Sequence, residues 1–197
     1  MEYHIRQYDL HQGALEIEYI EEYFGEFPRK KTAEEVIRRL TDRDHQIVMA
    51  EAPLTDDPGT VVPVAYKVSH ELRRNETDLK LADLVERLTG TVEFLGRKVL
   101  YSWIGGTRRD WRGQGFFRAL TEEQEAWAHD NEFDEILTKT KNRFYSMRGT
   151  LDHLEFNVIK LDPSKQDNRE SKVYLSKKLG LEVLDRHRSK RSVIHTS

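Results

Sequence analysis

The feature that most constrains this sequence is an apolar segment that leads through a glycine-containing loop into a helical segment. Residues 99–104 are rich in β-branched and aromatic side chains, which predicts a strand. Downstream, Phe116, Leu120 and Trp127 recur at helical spacing. The loop between them, residues 112–118, reads RGQGFFR in one-letter code. The sequence therefore predicts a strand, a tight loop and a helix in direct succession.

A glycine loop before a helix is a candidate anion site, because the first N–H groups of a helix lack intrahelical acceptors and the dipole is positive there. A phosphate or pyrophosphate fits such a site. No Gly-Lys-Ser/Thr follows, which excludes a nucleotide P-loop. A dinucleotide-binding fingerprint does not fit either, because its third glycine would fall on Arg118. Its ribose-binding acid should also lie at the end of the next strand, whereas Asp134 and Glu135 lie at the beginning of that strand. On the loop alone, an ordinary turn and a phosphate site are equally good interpretations.

Composition limits the remaining classes of function. The 197 residues suit one domain, and net charge −3 gives no overall attraction to nucleic acid. The absence of cysteine excludes disulfides and thiolate chemistry, and the eight histidines have no metal-ligand spacing, so no metal is expected. No apolar run reaches membrane length and the first residues are unlike a signal peptide. A cytoplasmic protein that contacts neither membrane nor nucleic acid is expected.

The periodicity predicts seven strands and five helices in the order β-α-α-β-β-α-β-α-β-α-β-β. The predicted strands cover residues 3–8, 46–52, 61–68, 99–105, 135–140, 156–161 and 171–177; the helices cover 12–24, 32–40, 79–88, 115–130 and 142–153. Thr32 and Glu35 form a capping box. In the first helix, Leu15, Tyr19 and Tyr23 share one side, apart from an acidic set: Glu16, Glu18, Glu21 and Glu22.

In the fourth predicted helix, Glu122, Glu123 and Glu125 are expected to turn away from the apolar side. The element order indicates an α/β fold in which a mixed sheet carries helices on both faces. One domain over residues 1–180 is expected, followed by a polar, basic tail over 181–197.

Three stretches together resemble the GNAT superfamily of acetyl-CoA-dependent N-acetyltransferases. Residues 112–117 resemble its coenzyme loop, [Q/R]-x-x-G-x-[G/A]. Residues 101–106 precede the loop where the family has its central strand, and residues 138–142 end the next strand, with Asn142 at the position of a pantetheine-contacting Asn. Residues 173–179 also resemble a closing strand of bacterial members. The resemblance is strongest over residues 99–179.

The resemblance implies a GNAT-like fold: a mixed, mostly antiparallel sheet of six to seven strands with helices on both faces and an extra helix between the third and fourth strands. It implies acetyl-CoA as the acyl donor, with its pantetheine arm between two splayed parallel strands and its thioester polarised by a backbone N–H of the central strand. The implied coenzyme-binding residues are Gly106, Thr107, Arg112, Gly113, Gln114, Gly115, Phe116, Phe117, Arg118 and Asn142.

Two positions depart from the family pattern. Phe117 stands where the family prefers glycine or alanine, so its ring is expected to point away into the packing of the helix, which leaves the backbone N–H donors in place. Glu155 and Phe156 replace a Gly-Phe pair, a change expected to affect a turn.

The sequence offers several candidates for the residues that move protons. Attack of an amine on a thioester needs a base and then an acid for the thiolate. The central strand lacks the glutamate of many relatives, which leaves His70 and Glu71 as candidate bases, with Glu21 and Glu22 as others. Tyr145 is the candidate acid, since the usual tyrosine position falls on Gly149 or Leu151.

The resemblance implies that the first two helices and the third and fourth strands surround the acceptor. The acidic set suits a cationic amine, and Trp103 and Tyr66 suit an apolar wall; a solvated face and core packing explain the same residues. The expected function is acetyl transfer to an amine of a small molecule or protein in a ternary complex, and a homodimer is compatible with it. The alternatives are a coenzyme A-binding sensor without catalysis and, through the basic residues 186–191, a nucleic-acid-binding protein.

Overall fold

The structure is a computed structural model that describes residues 3–24, 31–54, 56–180 and 182–183. Its strands are β1 (His4–Tyr8), β2 (His45–Pro53), β3 (Val61–Leu72), β4 (Val99–Thr107), β5 (Glu135–Lys141), β6 (Asn157–Asp162) and β7 (Lys172–Lys178). Its helices are α1 (Leu10–Phe24), α2 (Ala33–Leu40), α3 (Leu79–Leu88), α4 (Phe116–Asp130) and α5 (Tyr145–His153). The predicted order of elements, including the extra helix before β4, is confirmed. Apart from residues 182–183, the predicted tail lies outside the described residues, as does the side chain of Tyr23.

The seven strands form one sheet in the order β1-β2-β3-β4-β5-β7-β6. The pairs β1–β2, β2–β3, β5–β7 and β6–β7 are antiparallel, and β4–β5 is parallel. The expected mixed, mostly antiparallel sheet is therefore confirmed. The chain divides into two compact units, the first made of Met1–His70 and Trp103–Thr121, the second of Glu71–Ser102 and Glu122–Ser197.

In the first unit, both sides of the sheet are covered because β2 and β3 are apolar on both. One cluster joins residues of α1 and α2 to one side of these strands: Ala14, Ile17, Ile20, Val36, Leu40, Ile47, Met49, Tyr66 and Val68. The other joins the start of α4 to the opposite side: Val48, Ala50, Ala52, Val64, Ala65, Trp111, Phe116 and Leu120. The capping box at Thr32 and Glu35 starts α2, as predicted.

The buried side of α1 differs from the side singled out in the sequence. Leu15 and Tyr19 are 64% and 41% exposed, while Ala14, Ile17 and Ile20 have no exposed surface. A Cβ built on Gly13 would lie 2.5 Å from Ile47 Cγ2, so α1 packs closely against β2 there. The helix therefore turns its glycine and its small aliphatic residues toward the sheet. With the larger side chains on that side, the helix could not approach the sheet as closely.

In the second unit, β5 pairs with β4 in parallel and with β7 in antiparallel register. The helix α3 buries Leu81, Leu84, Val85 and Leu88, and it ends two residues before Gly90, which has φ of 89°. Glu125 of α4 is 3% exposed and accepts from Lys177 Nζ at 3.0 Å, so the prediction that it turns away is wrong. A buried ion pair satisfies both charges.

Candidate active site

The loop between β4 and α4 takes its shape from two glycines in the first unit. Gly113 and Gly115 have φ of 78° and 86°, a conformation that favours glycine. Among the described residues, nothing lies within 4 Å of a Cβ built on either one. Ala119 N–H donates to Gly115 O at 3.0 Å, so the N–H groups of Phe116 and Phe117 precede this first helical hydrogen bond. The loop thus presents backbone donors beside open space.

The loop is fixed at its start by contacts within the first unit. Arg108 N–H donates to Val64 O of β3 at 2.9 Å. Arg112 Nε donates to Thr107 O at 3.1 Å, so this guanidinium braces the end of β4. A 3-10 turn, Arg109–Trp111, buries Trp111. The segment that holds nine of the ten predicted coenzyme residues is therefore a single ordered stretch, Gly106 to Arg118.

The end of β4 lies unusually close to β3. A Cβ on Gly105 would lie 2.9 Å from Tyr66 O and 3.1 Å from Lys67 Cγ. Only glycine fits at this position unless the backbone shifts. Gly106 and Thr107 follow directly and are half-buried.

Phe117, the main departure from the family pattern, covers a buried lysine. Its half-buried ring has Lys67 Nζ 4.7 Å from its centroid, and Lys67 is 5% exposed. Lys67 Nζ donates to Thr121 Oγ1 at 2.8 Å. Sequence reasoning missed Lys67, although a lysine within the otherwise apolar residues 61–68 was a usable signal.

Trp103 on β4 is half-buried and surrounded by basic groups of the first unit. The Arg39 guanidinium carbon lies 4.8 Å and Lys31 Nζ 6.0 Å from its ring centroid. His70, a predicted base, makes an edge contact with the indole at 5.7 Å and has no exposed surface. The imidazole therefore reaches solvent only after a change in side-chain packing. No pattern in the sequence indicates the two cations beside Trp103.

The acidic set on α1 does not lie on one solvated face. Glu18 and Glu22 are exposed, but Glu21 is 4% exposed and accepts from Tyr66 Oη at 2.6 Å and from Lys31 N–H at 3.0 Å. Burial, followed by the charge of Glu21 and the hydrogen bond to it, raises the pKa of Tyr66 well above its usual value. Tyr66, with 2% exposure, is a core residue.

In the second unit, the parallel ladder of β4 with β5 runs from Val99–Glu135 to Ser102–Thr138. Ser102 Oγ donates to Gln124 Oε1 at 3.0 Å, and both residues are buried. The two strands each continue past the last of these pairs.

Asn142, the predicted pantetheine contact, directly follows β5 in the second unit and already has protein partners. Its side-chain oxygen accepts from Arg148 of α5, and its Nδ2 donates to Asn168 O at 3.2 Å. Its backbone N–H donates to Ser171 O at 2.8 Å. This side chain therefore joins the end of β5 to two neighbouring segments.

The other two predicted catalytic residues also belong to the second unit. Tyr145 is the first residue of α5 and is 62% exposed. Glu71, near the end of β3, accepts from Arg73 Nε at 2.8 Å. Their roles stay predictions.

In the parts of the chain that the structure describes, no three or more His, Cys, Asp or Glu side chains form a group suited to a metal ion. None of the helices described there is long and apolar enough to cross a membrane.

The comparisons with known proteins rest on structure. No family model matches the sequence, and no curated protein matches it. Arabidopsis thaliana NAA60, solved with a bisubstrate analogue, superposes with a TM-score of 0.66 at 10% identity over 91% of this chain and 99% of its own. The NatC complex bound to Gag peptide and CoA gives a TM-score of 0.64 at 15% identity over 91% and 100%.

The ribosomal-protein-S18-alanine N-acetyltransferase from Escherichia coli gives a TM-score of 0.62 at 11% identity over 91% of this chain and 95% of its own. This last neighbour is named as an N-acetyltransferase, and another match is described as an acetyltransferase of the GNAT family. The resemblance inferred from the sequence is thereby confirmed for the fold: this chain has the fold of the GNAT acetyltransferases.

Proposed function

We propose that this protein is an N-acetyltransferase that moves the acetyl group of acetyl-CoA to an amine of a protein or small molecule. The amine nitrogen attacks the thioester carbonyl in a ternary complex, the N–C bond forms, and the C–S bond breaks. The amine loses a proton and the coenzyme leaves as a thiolate that gains one. The lack of cysteine in the chain favours a cytoplasmic setting.

The observation that carries the proposal is the loop before α4. Gly113 and Gly115 have positive φ, and among the described residues nothing but their chain neighbours lies within 4 Å of a Cβ built on either one. The first N–H groups of α4 precede the first helical hydrogen bond, from Ala119 N–H to Gly115 O, and are the donors available for a ligand. Backbone donors at a helix N-terminus bind phosphate groups, and coenzyme A carries a diphosphate. Because the donors belong to the backbone, Phe117 in place of a small residue does not remove them.

The structural neighbours support the choice of donor and acceptor. NAA60 was solved with acetyl-CoA as well as with a bisubstrate analogue, and NatC with CoA and a peptide. A third neighbour is an acetyltransferase for an alanine of ribosomal protein S18. The shared fold supports acetyl-CoA as the donor here, and a peptide or protein amine belongs among the acceptors to be tested.

Each predicted residue has a role in the proposal. Gly106, Thr107 and residues 112–118 bind the diphosphate and the coenzyme next to it. Asn142 contacts the pantetheine, and a β4 backbone N–H stabilises the oxyanion. Tyr145 protonates the leaving thiolate. His70 and Glu71 are the candidate bases; of the two, Glu71 is partly exposed, whereas His70 acts only if its packing opens.

The test measures binding and turnover separately. Acetyl-CoA is expected to raise the melting temperature, because a ligand that binds only the folded state stabilises it. Gly115→Asp is expected to abolish that rise, since it places a carboxylate against the diphosphate. Gly90→Asp is the matched control: Gly90 has φ of 89°, equally open surroundings and lies on the turn after α3. It should respond to acetyl-CoA like the wild type.

Turnover is followed as free thiol released from acetyl-CoA in the presence of peptides, lysine, polyamines and aminoglycosides. Thiol release with at least one amine supports the transferase. A thermal shift without thiol release from any amine contradicts it and leaves a coenzyme-binding module. An equal thermal response in Gly115→Asp and the wild type contradicts the loop assignment.

A further inference from the structure

Lys67 is a charged residue buried beneath the start of α4. Its side chain leaves β3 and is 5% exposed, although ammonium groups are costly to remove from water. Its Nζ donates to Thr121 Oγ1 at 2.8 Å. Thr121, 1% exposed, lies on the second turn of α4 and belongs to the same unit as Lys67. The amino group of Lys67 therefore lies inside the protein, next to the helix that begins at the coenzyme loop.

The hydrogen bonds continue from this ammonium to the first turn of the helix. Thr121 Oγ1 donates to Phe117 O at 2.7 Å while it accepts from Lys67. The Phe117 carbonyl belongs to the same peptide group as the N–H of Arg118, one of the amides in the predicted diphosphate site. Hydrogen bonds in a chain polarise one another, so a cation at one end makes the N–H at the other end a stronger donor.

The ring of Phe117 also contacts the ammonium. The ring centroid lies 4.7 Å from Lys67 Nζ, within the range of a cation–π contact. Phe117 thus contacts the Lys67 ammonium through its ring, and its carbonyl oxygen accepts the hydrogen bond that the Thr121 hydroxyl donates.

We infer that Lys67 is a positioning residue of the coenzyme loop: through Thr121 and the peptide group between residues 117 and 118, its buried ammonium strengthens binding of the diphosphate. The inference rests on the proposed function, since it assumes that the loop receives coenzyme A. It assigns Lys67 no contact with the ligand. Its effect is therefore specific to ligands that carry phosphate.

The experiment compares a ligand that has the diphosphate with one that lacks it. Dissociation constants for coenzyme A and for pantetheine are measured by calorimetry on the wild type, Lys67→Met and Lys67→Arg. Lys67→Met is expected to weaken coenzyme A binding by about tenfold and to change pantetheine binding less than twofold. Lys67→Arg keeps the charge and should restore coenzyme A binding to within about threefold of the wild type.

Two further variants keep the test decisive. Lys177→Met removes a buried lysine of similar exposure, paired with Glu125, and should leave both affinities unchanged. Thr121→Val keeps the shape of the side chain and interrupts the hydrogen-bond chain. It should therefore weaken the binding of coenzyme A and leave the binding of pantetheine unchanged. This variant replaces Lys67→Met in the test if Lys67→Met does not fold.

The outcomes separate the inference from the function. A wild type that does not bind coenzyme A overturns both. Unchanged coenzyme A binding in Lys67→Met or, where that variant does not fold, in Thr121→Val overturns the role of Lys67 and leaves the proposed function intact. Equal weakening of both ligands shows a merely structural role and also overturns the inference.

Discussion

The coenzyme loop of the first unit and the β5–α5 segment of the second were both predicted to bind the donor, but they are built differently. In the loop, residues 112–118, the donors are backbone N–H groups set by Gly113 and Gly115. In the β5–α5 segment, residues 138–153, the expected contacts are side chains: Asn142 already bonds to Arg148 and Asn168, and Tyr145 is largely exposed. Backbone sites depend on chain conformation, whereas side-chain sites depend on which partners the fold supplies.

This difference implies opposite sensitivities to mutation. A backbone site tolerates changes of side chain but not a change of conformation or an added charge. A side-chain site fails when one functional group is removed.

The largest effect is expected at Tyr145. If its phenol protonates the leaving thiolate, Tyr145→Phe should lower kcat by about 100-fold, the usual range for loss of a general acid. Because the side chain is 62% exposed, the melting temperature should not change. Steady-state thiol release and thermal unfolding measure the two quantities. An unchanged kcat would remove Tyr145 from the mechanism.

Each unit also contains a buried tyrosine that donates a hydrogen bond to a carboxylate. Replacing the tyrosine of the first unit is expected to have the next largest effect. Tyr66 donates to Glu21 at 2.6 Å, and Tyr174 of the second unit donates to Asp162 at 3.0 Å. Tyr66→Phe should cost about 1–3 kcal/mol of unfolding free energy near neutral pH, because Glu21 stays buried with one donor fewer.

The same pair predicts a dependence on alkaline pH. Burial and Glu21 raise the pKa of Tyr66, so the folded protein keeps a proton that the unfolded chain releases near pH 10. This stabilisation is complete below about pH 10 and is lost as the pH rises further. Urea unfolding between pH 8 and 11 should therefore show a smaller alkaline loss in Tyr66→Phe than in the wild type. Equal losses would show that Tyr66 is not linked to stability in this way.

Asn142 tests whether a side chain engaged within the protein also binds the donor. Asn142→Ala should raise KM for acetyl-CoA by about tenfold and lower the unfolding free energy by about 1–2 kcal/mol. Arg148→Met removes one partner of Asn142 and leaves the amide in place, so it should lower stability with less than a threefold rise in KM. Equal KM changes in both variants would assign Asn142 a structural role only.

The same substitution at two glycines should have opposite effects in the two regions. Gly115→Ala forces a side chain into φ of 86° and should destabilise the protein by about 1 kcal/mol. Gly149→Ala adds a better helix former to α5, where no described atom lies within 4 Å of the new Cβ, and should stabilise it by about 0.5–1 kcal/mol. Denaturant unfolding measures both. A common sign would contradict the assigned backbone conformations.

The order of elements and the loop could be predicted from the sequence because both depend on local patterns. Strands and helices follow apolar periodicity, and the loop requires glycine at Gly113 and Gly115. The capping box at Thr32 is local as well.

What could not be predicted depends on residues far apart in the chain. Glu21 is buried because Tyr66, 45 positions away, supplies a hydrogen bond. Lys67 is buried because α4 places Thr121 and Phe117 around it. The partners of Asn142 come from a helix and a turn that follow it. No short-range pattern specifies these pairs.

The smallest effect is expected from Gln114→Ala. Gln114 lies between the two positive-φ glycines and its side chain is exposed, so only its backbone N–H is expected to serve the diphosphate. Alanine keeps that N–H, and KM for acetyl-CoA should change less than about twofold, well under 1 kcal/mol. Steady-state kinetics at saturating amine measure it, with Gly115→Asp as the variant that disables the same loop. A rise in KM of tenfold or more would mean that the Gln114 side chain binds the coenzyme. The loop would then not be a site built from backbone donors alone, and it would no longer differ in kind from the β5–α5 segment.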